Sequence, residues 1–158
     1  PVVDAERWFT RAAADESNHA PGALAHGTVG CVARDREGRL AAATSTGGVF
    51  HKLPGRVGDT PIPGAGVWAD QRAAVSCTGQ GEYFIRTAAA AAVSQRMRWA
   101  GASLEEAARA SIDDIAGLGG EGGMICVDAQ GRVAMPFASA GMKRAALLPD
   151  GRIVSEAF

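Results

Sequence analysis

The sequence predicts an α+β domain in which short strands form an antiparallel sheet and helices cover a face of it. Two observations carry this. Short apolar runs flank tight-turn signals at Asp35-Arg36-Glu37-Gly38 and Asp128-Ala129-Gln130-Gly131, the pattern of β-hairpins. The helical patterns lie together in the middle of the chain, between two groups of strands, whereas a doubly wound parallel sheet needs strands and helices to alternate.

The elements follow in order. Asp4 to Glu16 sets Trp8, Phe9 and Ala12 to Ala14 among charged residues and reads as a short helix; Ser17 to Ala25, with Pro21-Gly22, reads as a linker open to proteases. Thr28 to Arg34 and Leu40 to Thr46 form the first hairpin, with Thr28 at the tip of its first strand. Gly47 to Gly64 is a loop punctuated by glycine and proline, long enough to suggest function. Strands are expected at Gly66 to Ala69 and Ala74 to Thr78. One long alanine-rich helix is expected from Glu82 to Ala100, stopped by Gly101. Ser103 and Glu106 have capping-box spacing and open a second helix to about Ile115. Strands close the chain at Met124 to Asp128, Val133 to Phe137, Met142 to Leu147 and Ile153 to Phe158. There is no internal repeat.

Composition narrows the function. With 158 residues, 47% of them hydrophobic, and a formal net charge of −1, the chain has the make-up of one globular domain with no general attraction for nucleic acid or anionic membrane. Cys31, Cys77 and Cys126 are an odd count without close spacing, which suits reduced thiols in a cytoplasmic compartment. The longest apolar stretch, Thr87 to Val93, is far too short to span a bilayer. No signal-peptide pattern is present, although the chain opens on Pro1 without a methionine, so a longer precursor stays open.

Four polar clusters carry the chemistry. Thr28, in His26-Gly27-Thr28-Val29-Gly30, is a candidate nucleophile. A threonine hydroxyl needs a base, and an N-terminal threonine supplies one in its own α-amine; cleavage between Gly27 and Thr28 would create it. Thr46, in Thr44-Ser45-Thr46-Gly47-Gly48, can relay a proton to Thr28 or be a plain strand-end residue. Arg56 and Asp59 can hold the carboxylate and ammonium of a free amino-acid end, or form a surface ion pair. At Cys77-Thr78-Gly79-Gln80-Gly81-Glu82, the Thr78 hydroxyl and Gly79 N–H can form an oxyanion hole, or Thr78 can simply N-cap a helix. Cys77 stays open as an alternative thiol nucleophile beside its reading as a small buried hydrophobe.

Other patterns carry less. Gly117-Leu118-Gly119-Gly120-Glu121-Gly122 satisfies G-x-G-x-x-G, but it follows a helix and opens a strand, the reverse of a dinucleotide fingerprint. His19, His26 and His51 lack metal spacing and read as surface residues.

Taken together, Gly27-Thr28-Val29-Gly30, Thr44-Ser45-Thr46-Gly47-Gly48, Leu53-Pro54-Gly55-Arg56-Val57-Gly58-Asp59 and Thr78-Gly79-Gln80-Gly81-Glu82 resemble the plant-type asparaginases, or isoaspartyl peptidases, of the N-terminal nucleophile hydrolases. The resemblance runs from Gly27 to about Arg144 and implies a four-layer αββα sandwich built from two subunits. Self-cleavage of one precursor would make residues 1–27 the tail of an α subunit and residues 28–158 the β subunit, assembling as (αβ)2. It also implies that Thr28 is nucleophile and Thr46 its support, that Thr78 and Gly79 form the oxyanion hole, and that Arg56, Asp59, Gly79 and Gly81 bind a small substrate, asparagine or a β-aspartyl dipeptide. No organic cofactor is implied; the family's sodium ion belongs to the α half, so no metal ligand is expected here. Gln80, where many relatives carry threonine, and Ala138-Ser139-Ala140, where a more polar segment is expected, depart from the pattern and bear on substrate preference. Pro61-Ile62-Pro63-Gly64-Ala65-Gly66 is similar to glycosylasparaginases, which instead have an aspartate at the position of Gly27 and Asn at that of Gly47. A glycosylasparaginase-like hydrolase, or an uncleaved fragment that only assembles with an α subunit, are the alternatives.

Overall fold

The computed structural model describes residues 27–148 and 150–158. The helix and linker expected between Asp4 and Ala25, and with them His19 and His26, lie outside these residues.

The first hairpin forms as the turn signal predicts. β1 (Val29–Arg34) pairs antiparallel with β2 (Leu40–Ser45), in a register that sets Val29 opposite Ser45. The turn is tied by one carboxylate: Asp35 Oδ1 accepts the N–H groups of Glu37 and Arg39, and Oδ2 accepts Arg39 Nε. The same device recurs at Asp128, which binds the N–H groups of Gln130 and Arg132 and Arg132 Nε. In both turns the glycine has positive φ, at Gly38 and Gly131.

The central sheet has the antiparallel order β3 (Val67–Ala69), β4 (Ala73–Gly79), β5 (Gly122–Asp128), β6 (Val133–Ala134). β4 is buried continuously from Ala73 to Cys77, the signature of a strand covered on both faces. One face packs against the helices; the other meets the β1–β2 hairpin. Across the second contact Thr44 Oγ1 and Ser76 Oγ lie 2.7 Å apart, and Thr44 Oγ1 also donates to the Gly66 carbonyl. β1 passes so close that a Cβ on Gly30 would stand 2.2 Å from Ser76 Oγ. A separate hairpin pairs β7 (Arg144–Leu147) with β8 (Ile153–Glu156).

The helical layer differs from the expectation at one point. In place of a single helix from Glu82 to Ala100 there are two, α1 (Gly81–Thr87) and α2 (Ala89–Trp99), separated by Ala88 in the left-handed region at φ 47 and ψ 46. Alanine is the best helix former, so local propensity argues against a break here, and the αL conformation costs roughly 1–2 kcal/mol. A distant segment supplies the compensation. The N–H groups of Ala90 and Ala91, in the first turn of α2, donate to the carbonyls of Ala65 and Gly64, so donors that a new helix start would leave unpaired are satisfied by the loop before β3. α3 (Leu104–Gly117) begins with the expected capping box: Ser103 Oγ accepts from Glu106 N–H and Glu106 Oε2 accepts from Ser103 N–H.

Phe84, Val93, Leu104, Ile112 and Ile115 close over Val75, Cys77, Met124 and Cys126 to form the core. This is an α+β fold with antiparallel sheets, as the sequence predicts. Among the described residues, helices cover one face of the central sheet and a β-hairpin the other. No described helix is long and apolar enough to cross a membrane.

Candidate active site

Thr28 immediately precedes β1, and Thr46 immediately follows β2. Antiparallel pairing therefore returns the chain to its starting point: residues 18 positions apart meet, and the Thr28 hydroxyl donates to Thr46 Oγ1 at 3.2 Å. Thr46 Oγ1 also accepts the N–H of Gly48 at 3.0 Å. With both of its lone pairs engaged, the Thr46 hydroxyl keeps its own proton free to donate. Lys52 closes the loop behind this pair by donating to the Gly47 carbonyl at 2.6 Å.

Thr28 and Thr46 share a small cleft with Arg56, Asp59 and Gly79. Its volume is about 10 Å³, about the room one water needs. Asp59 is 5% exposed, and its Oδ2 has no hydrogen-bond partner among the described residues. Burial pushes its carboxyl above the ordinary value, opposed by its own backbone N–H and by the Arg56 charge. An unpaired buried acceptor is costly, and here it leaves an oxygen free beside the cleft.

One of the remaining expected residues contributes from behind. Gly81 is buried beneath Asp59, where a Cβ would stand 2.7 Å from Oδ1. Any larger residue would displace that carboxylate. Gly27 is exposed beside Thr28. Thr78 is half-buried near the end of β4 and does not line the cleft, whereas its neighbour Gly79 does. Gly79 cannot be replaced without distortion: φ is 148, and a Cβ would stand 2.5 Å from the Glu121 carbonyl oxygen.

Three alternatives read from the sequence are corrected. Thr78 does not cap a helix, because β4 continues through Gly79 and the N-cap of α1 is Gln80, which makes no side-chain cap bond. Arg56 pairs with Glu82 and not with Asp59: Arg56 Nε donates to Glu82 Oε1 at 2.9 Å, with Nη2 2.8 Å from the same oxygen. Cys77 is 1% exposed, and burial, together with Cys126 and Asp59, drives its thiol pKa well up, so it supplies no thiolate nucleophile. Cys31, Cys77 and Cys126 are all free.

The cleft also contains Gly48 and Gly58, which the sequence motifs include without a role, and Val49 and Thr60, which lie outside them. Thr60 adjoins Asp59, and that adjacency was its one signal; Val49 carried none. Gln80 turns away from the cleft and clamps the glycine-rich segment, donating its N–H to the Glu121 carbonyl and accepting Glu121 N–H on Oε1. That segment joins the end of α3 to the start of β5, the helix-to-strand context that argues against dinucleotide binding. No three His, Cys, Asp or Glu side chains converge as metal ligands among the described residues.

The comparison to known proteins gives the chain a family. The family model described as asparaginase matches residues 4–153, and the chain belongs to that family. It is 57% identical over 121 residues to the isoaspartyl peptidase of Salmonella typhimurium, covering 75% of this chain and 39% of the relative. To the isoaspartyl peptidase of Escherichia coli it is 54% identical over 121 residues, with 75% and 38% covered. To the isoaspartyl peptidase/L-asparaginase of Bos taurus it is 46% identical over 131 residues, with 82% and 42% covered. The chain thus spans about two-fifths of the length of these curated relatives.

Proposed function

We propose that this chain is the catalytic part of a threonine hydrolase that cuts itself at Gly27–Thr28 and then hydrolyses the side-chain amide of L-asparagine and β-aspartyl dipeptides. The observation that carries the proposal is the hydroxyl pair Thr28–Thr46 in one cleft with Arg56, Asp59 and Gly79. Membership of the asparaginase family and the names of the relatives support the substrate class.

In the first reaction the Thr28 hydroxyl attacks the Gly27 carbonyl carbon, the C–N bond breaks, and the proton passes to the nitrogen. Water then hydrolyses the resulting ester, leaving the Gly27 carboxylate and a free α-amine on Thr28. In the second, that amine takes the hydroxyl proton as Thr28 Oγ1 attacks the substrate's side-chain carbonyl, then hands it to the leaving ammonia or amino acid; water releases aspartate. An ordinary α-amine pKa of about 7.7–8.0 suits both transfers. Thr46 donates to Thr28 as charge develops on it, and the Thr78 hydroxyl and Gly79 N–H stabilise the oxyanion. Arg56 holds the α-carboxylate. Asp59, seated over Gly81, holds the α-ammonium with its free Oδ2. No organic cofactor takes part.

A cleft with room for one water and not for asparagine suits a site completed after cleavage. Residues 1–27 then serve as the end of an α subunit and residues 28–158 as the β subunit of a four-layer αββα sandwich, assembling as (αβ)2. Free thiols suit a cytoplasmic setting. The test is a denaturing gel of the wild-type protein beside Thr28→Ala, paired with an ammonia assay on asparagine. Wild type is expected to give a fragment beginning at Thr28 and to release ammonia, and the variant to do neither; a single unshifted band in both would overturn the proposal.

A further inference from the structure

We infer that Glu82 is a positioning residue, the carboxylate that aims the Arg56 guanidinium at the substrate's α-carboxylate; this rests on the reading of Arg56 as a substrate-binding residue. Arg56 sits in the long loop between β2 and β3, where neighbouring backbone makes no helix or strand to hold it. Glu82 sits in the first turn of α1, which Gly81 and Phe84 anchor in the interior. The carboxylate is thus fixed to a packed element, and the guanidinium is not.

The geometry divides the guanidinium in two. Nε and Nη2 both approach a single Glu82 oxygen, Oε1, at 2.9 and 2.8 Å. Nη1 lies along Gly58, where a Cβ would stand 2.7 Å from it, and Gly58 and Arg56 both line the cleft. Because a guanidinium carries five N–H donors in a rigid plane, engaging one edge orients the other. The Arg56 side chain is 18% exposed and that of Glu82 is 60% exposed, so the carboxylate approaches from solvent while the free edge of Arg56 faces inward. The sequence motif ending in Glu82 left this residue without a role.

An exposed ion pair with no function has the same distances, so the test must separate the two. In the full-length protein, Glu82→Ala, Glu82→Gln, Arg56→Ala and the Glu82→Ala/Arg56→Ala double variant are assayed for KM and kcat on a β-aspartyl dipeptide, with self-cleavage followed on a gel. Glu82→Ala is expected to raise KM about fivefold, the upper range for a partly exposed ion pair, with kcat within about twofold and self-cleavage intact. Glu82→Gln, which keeps an accepting oxygen, is expected to recover part of that loss. In the Arg56→Ala background, removing Glu82 is expected to change KM no further. The inference is overturned if Glu82→Ala leaves KM unchanged while Arg56→Ala raises it, if it raises KM equally in the Arg56→Ala background, or if it abolishes self-cleavage. If neither single variant changes KM, the reading of Arg56 itself has failed, and this inference with it.

Discussion

Thr28 and Thr46 are joined hydroxyl to hydroxyl at 3.2 Å, at the open end of the hairpin whose strands they flank. The Gly48 N–H on Thr46 Oγ1 holds the acceptor in place. In the proposed mechanism Thr46→Ala removes one hydrogen bond to a group that becomes charged, about 1.5–3 kcal/mol, so self-cleavage and hydrolysis are both expected to slow by about 10- to 100-fold. Thr46→Ser is expected to restore most of the rate. Timed gels and initial rates of ammonia release check this, and an unaltered Thr46→Ala rate would remove Thr46 from the mechanism.

Asp59 makes the site pH-sensitive. Burial raises its carboxyl pKa, so as pH falls it loses its charge earlier than an exposed aspartate would. In the proposed mechanism, binding of the substrate ammonium requires the charge, and kcat/KM is therefore expected to decline on the acid side through this raised value; Asp59→Asn should lower activity and flatten that limb.

The same shift sets a stability trend of opposite sense. A raised folded-state pKa stabilises the fold below the ordinary aspartate range, and that contribution is lost as pH rises through the raised value. Relative to wild type, Asp59→Asn is thus expected to melt higher at pH 7 than at low pH. Thermal melts across the acid range decide it, and a difference independent of pH would contradict the raised pKa.

Asp128 is 0% exposed and accepts two backbone N–H groups and Arg132 Nε. Asp128→Ala leaves the Gln130 and Arg132 N–H groups at the β5–β6 turn without their acceptor and is expected to cost about 1–3 kcal/mol. Arg132→Ala is expected to cost less, because its side chain is 60% exposed. Urea midpoints at unchanged m-value measure both.

Ala88 occupies a conformation that suits glycine. Ala88→Gly is expected to raise stability by about 0.5–1 kcal/mol, net of the entropy that glycine adds to the unfolded chain. A lower melting temperature in the variant would show that Ala88 is not strained.

Much of the fold was legible because it depends on neighbours in sequence. The turn aspartates and the Ser103–Glu106 box are satisfied within a few residues, so local chemistry determined them by itself. The candidate site was legible as residue types in motifs: Thr28, Thr46, Arg56, Asp59 and Gly79 were each named from sequence, and the structure brings these five into one cleft. What only the tertiary structure decided involves groups far apart along the chain. Arg56 chose Glu82, 26 positions away, over Asp59, three positions away, because Asp59 is turned inward over Gly81 while the first turn of α1 presents a carboxylate to the loop. Helix continuity was broken at Ala88 because carbonyls at Gly64 and Ala65 offered the next turn its hydrogen bonds. Propensity and spacing sum short-range terms; burial and distant hydrogen bonds, which they omit, settled the partners.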